Sequence, residues 1–236
     1  MRHYLVVDDN RALADNLSEI VEDHGDQVTV AHDGAEALEL AKARRFDAIV
    51  TDMRMPLMGG AELVHHVRRI DPGVAAIVIT AYVGDNDLEA ARREGLLAVL
   101  PKPVPVGRLL ELLGVARRDG LVVVIEDDHA LCDNISEALR GRGFASVTAA
   151  SVLETERLGP VKPFCALVDL RVPGGPDGEA MRRLAAKYPG LPMIVVTAVH
   201  EPPPVPPHAL FQKPFDTAAL LAAVERVHAA RDDSAG

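Results

Sequence analysis

Five residues in the first half of the chain form a set suited to one kind of chemistry. Asp8 and Asp9 follow the apolar run Leu5-Val6-Val7, and Asp52 follows Ala48-Ile49-Val50-Thr51. Thr80 closes Ile77-Val78-Ile79, and Lys102 precedes Pro103. Three crowded carboxylates repel and raise one another's pKa. A hard divalent cation removes that penalty, and Mg2+ prefers one or two carboxylates, several waters and a phosphate oxygen. A hydroxyl and an ammonium suit the other phosphoryl oxygens. The set reads as a phosphoryl-transfer site, where positioning and charge neutralisation carry the reaction. An aspartate carboxylate can itself be the nucleophile and form an acyl phosphate.

The same set occurs twice. Leu5-Val6-Val7-Asp8-Asp9-Asn10 recurs as Val123-Val124-Ile125-Glu126-Asp127-Asp128, 118 residues later and half the chain away. Ala48 to Asp52 recurs as Cys165 to Asp169, Ile77 to Ala81 as Ile194 to Ala198, and Lys102-Pro103 as Lys213-Pro214. Self-similarity at this period is a tandem duplication. The expected domains are residues 1–118 and 119–236. The second site would combine Glu126, Asp127, Asp169, Thr197 and Lys213.

The elements that must position these residues are legible from periodicity. Short, nearly all-apolar runs at 4–7, 27–31, 47–51, 75–80 and 97–100 predict parallel strands covered on both faces. Leu13, Leu17, Ile20 and Val21 fall on one helical face, and Leu131, Ile135, Ala138 and Leu139 repeat that spacing. Helices are predicted near 11–24, 34–43, 60–70, 85–94 and 105–117. Strict βα alternation predicts a doubly wound α/β domain with a parallel sheet and right-handed crossovers. In such sheets the functional crevice lies at the carboxyl ends of the strands, where every repeated polar residue falls.

The second copy is expected to depart from the first in one stretch. Thr80 and Lys102 are 22 residues apart, Thr197 and Lys213 only 16. The shortened stretch holds Glu201-Pro202-Pro203-Pro204-Val205-Pro206-Pro207-His208. Consecutive prolines lack N–H donors and cannot propagate a helix. A Pro-rich, extended segment over 201–207 is predicted in place of a fourth helix. The loop after the second acceptor position, Val172 to Gly178, gains one residue. Arg68-Arg69, Arg92-Arg93 and Arg182-Arg183 read as solvated helix faces.

Composition excludes other classes. The chain carries 25 Lys+Arg against 35 Asp+Glu, a formal net charge of −10, and each half is net −5. Neither half is a basic nucleic-acid module. Trp is absent and aromatics are 3%, which leaves no base-stacking platform. The N-terminal apolar run turns acidic at Asp8, and no run approaches the ~20 residues that span a bilayer. No nucleic-acid or membrane partner and a cytoplasmic setting are expected. Cys132 and Cys165 stand far apart and read as reduced thiols.

The two sets resemble the receiver domain of two-component response regulators. Asp8-Asp9, Asp52 followed by Met55-Pro56 and Gly60, Thr80-Ala81 and Lys102-Pro103 carry the resemblance. It implies two flavodoxin-like (βα)5 domains with sheet order 2-1-3-4-5. It also implies that Asp52, and Asp169 in the second copy, accept a phosphoryl group from a sensor histidine kinase or a histidine phosphotransfer protein. Mg2+ would be held by Asp8, Asp9, Asp52 and the backbone carbonyl of Arg54, and in the second copy by Glu126, Asp127, Asp169 and the carbonyl of Arg171. Thr80, Ala81 and Lys102, with Thr197, Ala198 and Lys213, would contact the phosphoryl group. The peptide bonds preceding Pro103 and Pro214 would be cis. Val99 and Leu210 stand where receivers often place an aromatic residue.

The resemblance thus implies a phosphorylation-switched protein that signals by contact with an output protein, not an enzyme beyond self-phosphotransfer and autodephosphorylation. Self-association as a homodimer stays open. In one alternative the second copy is a non-phosphorylated scaffold. Another is a Mg2+-dependent phosphatase with an aspartyl nucleophile, which usually carries a second Asp where Arg54 and Arg171 stand.

Overall fold

The computed structural model describes residues 1–81, 95–159 and 161–232. The chain divides into two compact units, Met1–Asp119 and Gly120–Gly236.

In the first unit the elements run β1 (His3–Val7), α1 (Arg11–Glu22), β2 (Gln27–Ala31), α2 (Gly34–Ala43), β3 (Ala48–Asp52), α3 (Gly60–Ile70), β4 (Ala75–Thr80), β5 (Ala98–Pro101) and α4 (Val106–Val115). The helix predicted at 85–94 lies outside the described residues. All strand pairs are parallel, and the order is β2-β1-β3-β4-β5. β3 and β4 are buried throughout, their apolar runs Ala48–Val50 and Ala75–Ile79 covered on both faces. β2, at the edge, is only half-covered, and its Gln27 is exposed. Leu17 and Val21 of α1 turn into the core, and the Asn10 side chain caps the helix by accepting the Leu13 N–H at 3.2 Å. Asp33 caps α2 through the Glu36 N–H, while Glu36 reaches back to the His32 N–H, both at 2.8 Å.

The second unit repeats the plan with β6 (Leu121–Ile125), α5 (His129–Gly141), β7 (Ala145–Ala149), α6 (Val152–Glu156), β8 (Cys165–Val168), α7 (Glu179–Lys187), β9 (Met193–Thr197), β10 (Ala209–Gln212) and α8 (Thr217–Asp232). Its order, β7-β6-β8-β9-β10, is again 2-1-3-4-5. Both units have the flavodoxin-like architecture. Cys132 and Cys165 are buried and free.

No helix lies between β9 and β10. Residues 198–208 form a strap that bends at Pro204 and Val205 and returns to the sheet when the His208 N–H donates to Met193 O at 2.7 Å.

Two expectations need correction. The second copy departs from the first at a further place beyond the Pro-rich stretch and the lengthened loop: α6 has 5 residues where α2 has 10. Gly159 and Pro160 occupy sequence positions of the missing turns, and proline cannot continue a helix. Arg68 is not a solvated face residue. It is 7% exposed, and its guanidinium donates to Pro72 O at 2.8 Å and Gly95 O at 2.7 Å. The Pro72 carbonyl just past α3 and the Gly95 carbonyl ahead of β5 give a buried cation its partners.

Candidate functional site

Sheet register builds both sites. Val7 pairs with Thr51, so the next residues, Asp8 and Asp52, emerge side by side from adjacent strands. Thr80 pairs with Pro101, which sets Lys102 beyond the same sheet end. In the second unit Ile125 pairs with Val168 and Thr197 with Gln212, so Glu126, Asp169 and Lys213 emerge in the same arrangement.

The chain leaving Asp52 must turn back sharply. The Gly60 N–H donates to Met53 O at 2.9 Å, and a Cβ on Gly60 would lie 2.2 Å from the Asp52 carbonyl oxygen. Only glycine allows that approach, so Gly60 sets where the loop after Asp52 ends.

In the first unit Asp8, Asp9 and Asp52 each offer an oxygen within 4.8 Å of the other two. Asp8 and Asp52 are buried and Asp9 is exposed. Lys102 Nζ lies 3.0 Å from Asp8 Oδ2 and 3.1 Å from Asp52 Oδ2. Asp8 Oδ1 accepts the Asn10 N–H at 2.9 Å, and the Arg54 N–H donates to Asp52. Thr80 is buried at the end of β4, Ala81 is exposed beside it, and the Lys102–Pro103 bond is cis.

Burial pushes the Asp52 carboxyl above its ordinary pKa. The Lys102 contact opposes this and the Asp8 charge adds to it. Burial alone would lower Lys102, but its bonds to Asp8 and Asp52 outweigh that and hold it protonated above the usual lysine value.

The second unit assembles the same groups more tightly. Glu126, Asp127 and Asp169 offer oxygens within 4.8 Å of one another. Lys213 Nζ contacts Glu126 Oε1 at 3.0 Å, Glu126 Oε2 at 2.8 Å and Asp169 Oδ2 at 2.6 Å. Asp169 Oδ1 accepts the Thr197 hydroxyl at 2.9 Å and the Arg171 N–H at 3.0 Å. Burial raises the Glu126 pKa against the pull of Lys213. Lys213 is raised by Asp169 and Glu126, against its own burial. Ala198 is exposed, and the Lys213–Pro214 bond is cis.

Each site holds three acid side chains, one ammonium and one hydroxyl at the carboxyl end of a parallel sheet. The donor set is all oxygen, which suits a hard divalent cation, and the lysine is near enough to share an anion with it. Among the described residues no helix is long and apolar enough to cross a membrane.

Several contacts around the second site escape sequence reading. The Arg171 guanidinium bonds Asp177 at 3.0 Å across the loop that gained a residue. The Gln212 side chain donates to Val199 O at 3.1 Å. Neither contact has a sequence signal beyond a polar side chain near Asp169 or Lys213.

Comparison with known proteins gives concordant results. The response regulator receiver domain family matches residues 4–114. A response regulator receiver protein of Anaeromyxobacter sp. (strain Fw109-5) is 71% identical over 231 residues, covering 98% of this chain and 97% of that one. The response regulator MprA of Mycobacterium ulcerans (strain Agy99) is 31% identical over 169 residues, 71% of each chain. Among solved structures, a CheY-like receiver domain protein from Methanospirillum hungatei JF-1 covers 48% of this chain and 91% of its own, with 29% identity and a TM-score of 0.47.

Proposed function

The chain belongs to the response regulator receiver family of two-component systems, and from that premise we propose that Asp52 is its phosphoacceptor. The observation that carries this reading is Lys102 Nζ bridging Asp8 and Asp52 at 3.0 and 3.1 Å, within a cluster of three carboxylates. The donor is a phosphohistidine on a sensor histidine kinase or histidine phosphotransfer protein. An ionised Asp52 oxygen attacks phosphorus, the P–N bond breaks, and the imidazole nitrogen keeps the bonding pair. Asp8, Asp9, Asp52 and the Arg54 carbonyl would hold Mg2+, which neutralises charge on the phosphoryl oxygens when bound. Lys102, the Thr80 hydroxyl and the Ala81 N–H receive the remaining oxygens. The result is a protein acyl phosphate, with no turnover beyond self-phosphotransfer and autodephosphorylation.

Residues 1–118 and 119–236 act as two receivers, with Asp169 as the second acceptor. Glu126, Asp127, Asp169 and the Arg171 carbonyl would hold its Mg2+, and Thr197, Ala198 and Lys213 its phosphoryl oxygens. The second receiver also has a scaffold reading, favoured by one observation: no helix stands between β9 and β10, where residues 198–208 form a strap instead. The aspartyl phosphatase reading has Arg54 and Arg171 against it. The output is contact with another protein in the cytoplasm.

The test is intact-mass measurement of the full chain after incubation with acetyl phosphate and Mg2+. Two labels are expected, one lost in Asp52→Ala, the other in Asp169→Ala, and both lost with EDTA. Full first-unit labelling in Asp52→Ala would remove the assignment. A single label confined to Asp52 would make the second unit a scaffold.

A further inference from the structure

The strap in the second unit is tied to the acceptor at two points. At one end, the Val199 N–H donates to Thr197 Oγ1 at 3.2 Å, and the Thr197 hydroxyl donates to Asp169 Oδ1 at 2.9 Å. The Val199 carbonyl is held in turn by the Gln212 amide at 3.1 Å. Midway along the strap, Pro204 seats against Gly178, where a Cβ would lie 2.7 Å from the Pro204 Cδ and Cγ. Gly178 closes the acceptor loop, because its N–H donates to Leu170 O at 2.6 Å and it caps α7 with φ +79°. The contacts form a closed circuit. It runs from Asp169 through Leu170, Gly178, Pro204, the strap, Val199 and Thr197 back to Asp169. Glu201 on the strap also adds to the field on Arg171, two residues past Asp169.

Each joint has a chemical reason. Gly178 needs the left-handed conformation and, independently, the absence of a Cβ under the proline ring. Pro202, Pro203, Pro204, Pro206 and Pro207 restrict the strap between its anchors. Gln212 supplies a donor immediately before Lys213, where the first unit has Pro101, which has no side-chain donor.

We propose that the strap is a brace for the second site, and that Gly178 and Gln212 are positioning residues that hold the Thr197 hydroxyl on Asp169. A helix replaced by a segment fixed at Val199, Pro204 and His208 has few alternative states for an occupant of Asp169 to select. The second site is thereby held in one geometry. Its consequence for phosphoryl transfer rests on the reading of Asp169 as an acceptor, whereas the brace itself does not.

The test is amide exchange on the full chain in Gln212→Glu, Gly178→Ala, Pro204→Ala and the Gly178→Ala/Pro204→Ala double variant. Glu keeps the shape of Gln212 and removes the donor. The Val199 amide reads the brace directly, Val205 and His208 report the strap, and Val195 in β9 controls for the fold. Gln212→Glu and Gly178→Ala are expected to speed Val199 exchange about five- to tenfold, the effect of losing one hydrogen bond, with Val195 unchanged. Pro204→Ala is expected to recover part of the Gly178→Ala effect, because it removes the ring that the new methyl strikes. Unchanged Val199 exchange in Gln212→Glu, or strictly additive effects of Gly178→Ala and Pro204→Ala, would overturn the brace.

The same variants, in an Asp52→Ala background, are labelled with acetyl phosphate and Mg2+. A changed labelling rate at Asp169 supports positioning, and an unchanged rate beside faster Val199 exchange overturns that role. Absence of label in every variant and in their parent removes the acceptor reading of Asp169, while the exchange data still decide the brace.

Discussion

Lys213 holds its ammonium 2.6 Å from Asp169 Oδ2, and the corresponding pair in the first unit, Lys102 and Asp52, stands at 3.1 Å. Lys213 also contacts both oxygens of Glu126, whereas Lys102 meets Asp8 through Oδ2. Each lysine is the cation that lets two buried carboxylates face one another. Replacing it with Met should cost that unit about 2–4 kcal/mol at neutral pH without metal, since it strands two buried charges. The loss should be larger for Lys213→Met and should shrink as pH falls into the carboxylate range, where protonation removes the repulsion. Urea unfolding of each variant across pH checks both statements.

The Asp52 carboxyl is raised by burial, so the folded state favours its protonated form. Its favourable contribution is present at low pH and is lost as pH rises through the raised value. In metal-free protein at pH 7, Asp52→Asn should therefore melt above the wild type. Saturating Mg2+ reverses the order, because a cation at a hundredfold excess over its Kd stabilises the wild type by about 2.7 kcal/mol and the variant loses that contribution. Thermal melts with EDTA and with Mg2+ test the crossover.

Leu57 sits in the loop after Asp52, fully exposed, with φ +68°. The Met58 N–H bonds Pro56 O across it at 2.8 Å, which makes a three-residue turn with a left-handed centre. A leucine there carries backbone strain and gains nothing from burial. Leu57→Gly should stabilise the first unit by about 0.5–1 kcal/mol and leave acetyl phosphate labelling of Asp52 unchanged. Chemical denaturation and the labelling rate decide it.

Arg68→Met should destabilise the first unit by about 2–4 kcal/mol, because the Pro72 and Gly95 carbonyls lose a charged donor. Arg69→Met, one residue along and exposed, should stay within about 0.5 kcal/mol. Equal losses in the two variants would show that the buried guanidinium contributes no more than a surface charge.

Burial pushes the Cys132 thiol up to about 11 and raises Cys165 as well. The thiolate is the reactive form. A disulfide reagent at pH 8 should therefore modify neither cysteine in the folded chain and should label both at the rate of unfolding. Rapid labelling of the native protein would show that one thiol reaches solvent.

The duplication, the order of strands and helices and the acids at the strand ends are all legible in one sequence. Their cause is local: apolar runs of four to six residues mark buried strands, helical spacing marks the faces of α1 and α5, and polar residues at the ends of apolar runs mark the carboxyl end of the sheet. The loss of a helix between β9 and β10 was equally readable, because five prolines in six positions cannot supply helical N–H donors. Tertiary structure decided the rest. Register makes Asp8 and Asp52 neighbours, and no pattern within either segment states which residue lies opposite which. Arg68 reads as half of a solvated pair because helical spacing does not reveal that the fold brings the Pro72 and Gly95 carbonyls to its guanidinium. The seat of Pro204 on Gly178 and the Gln212 bond to Val199 join residues 26 and 13 positions apart. Such contacts depend on where the folded backbone brings a single carbonyl or a missing Cβ, and the chain encodes that only through the packing of the whole unit.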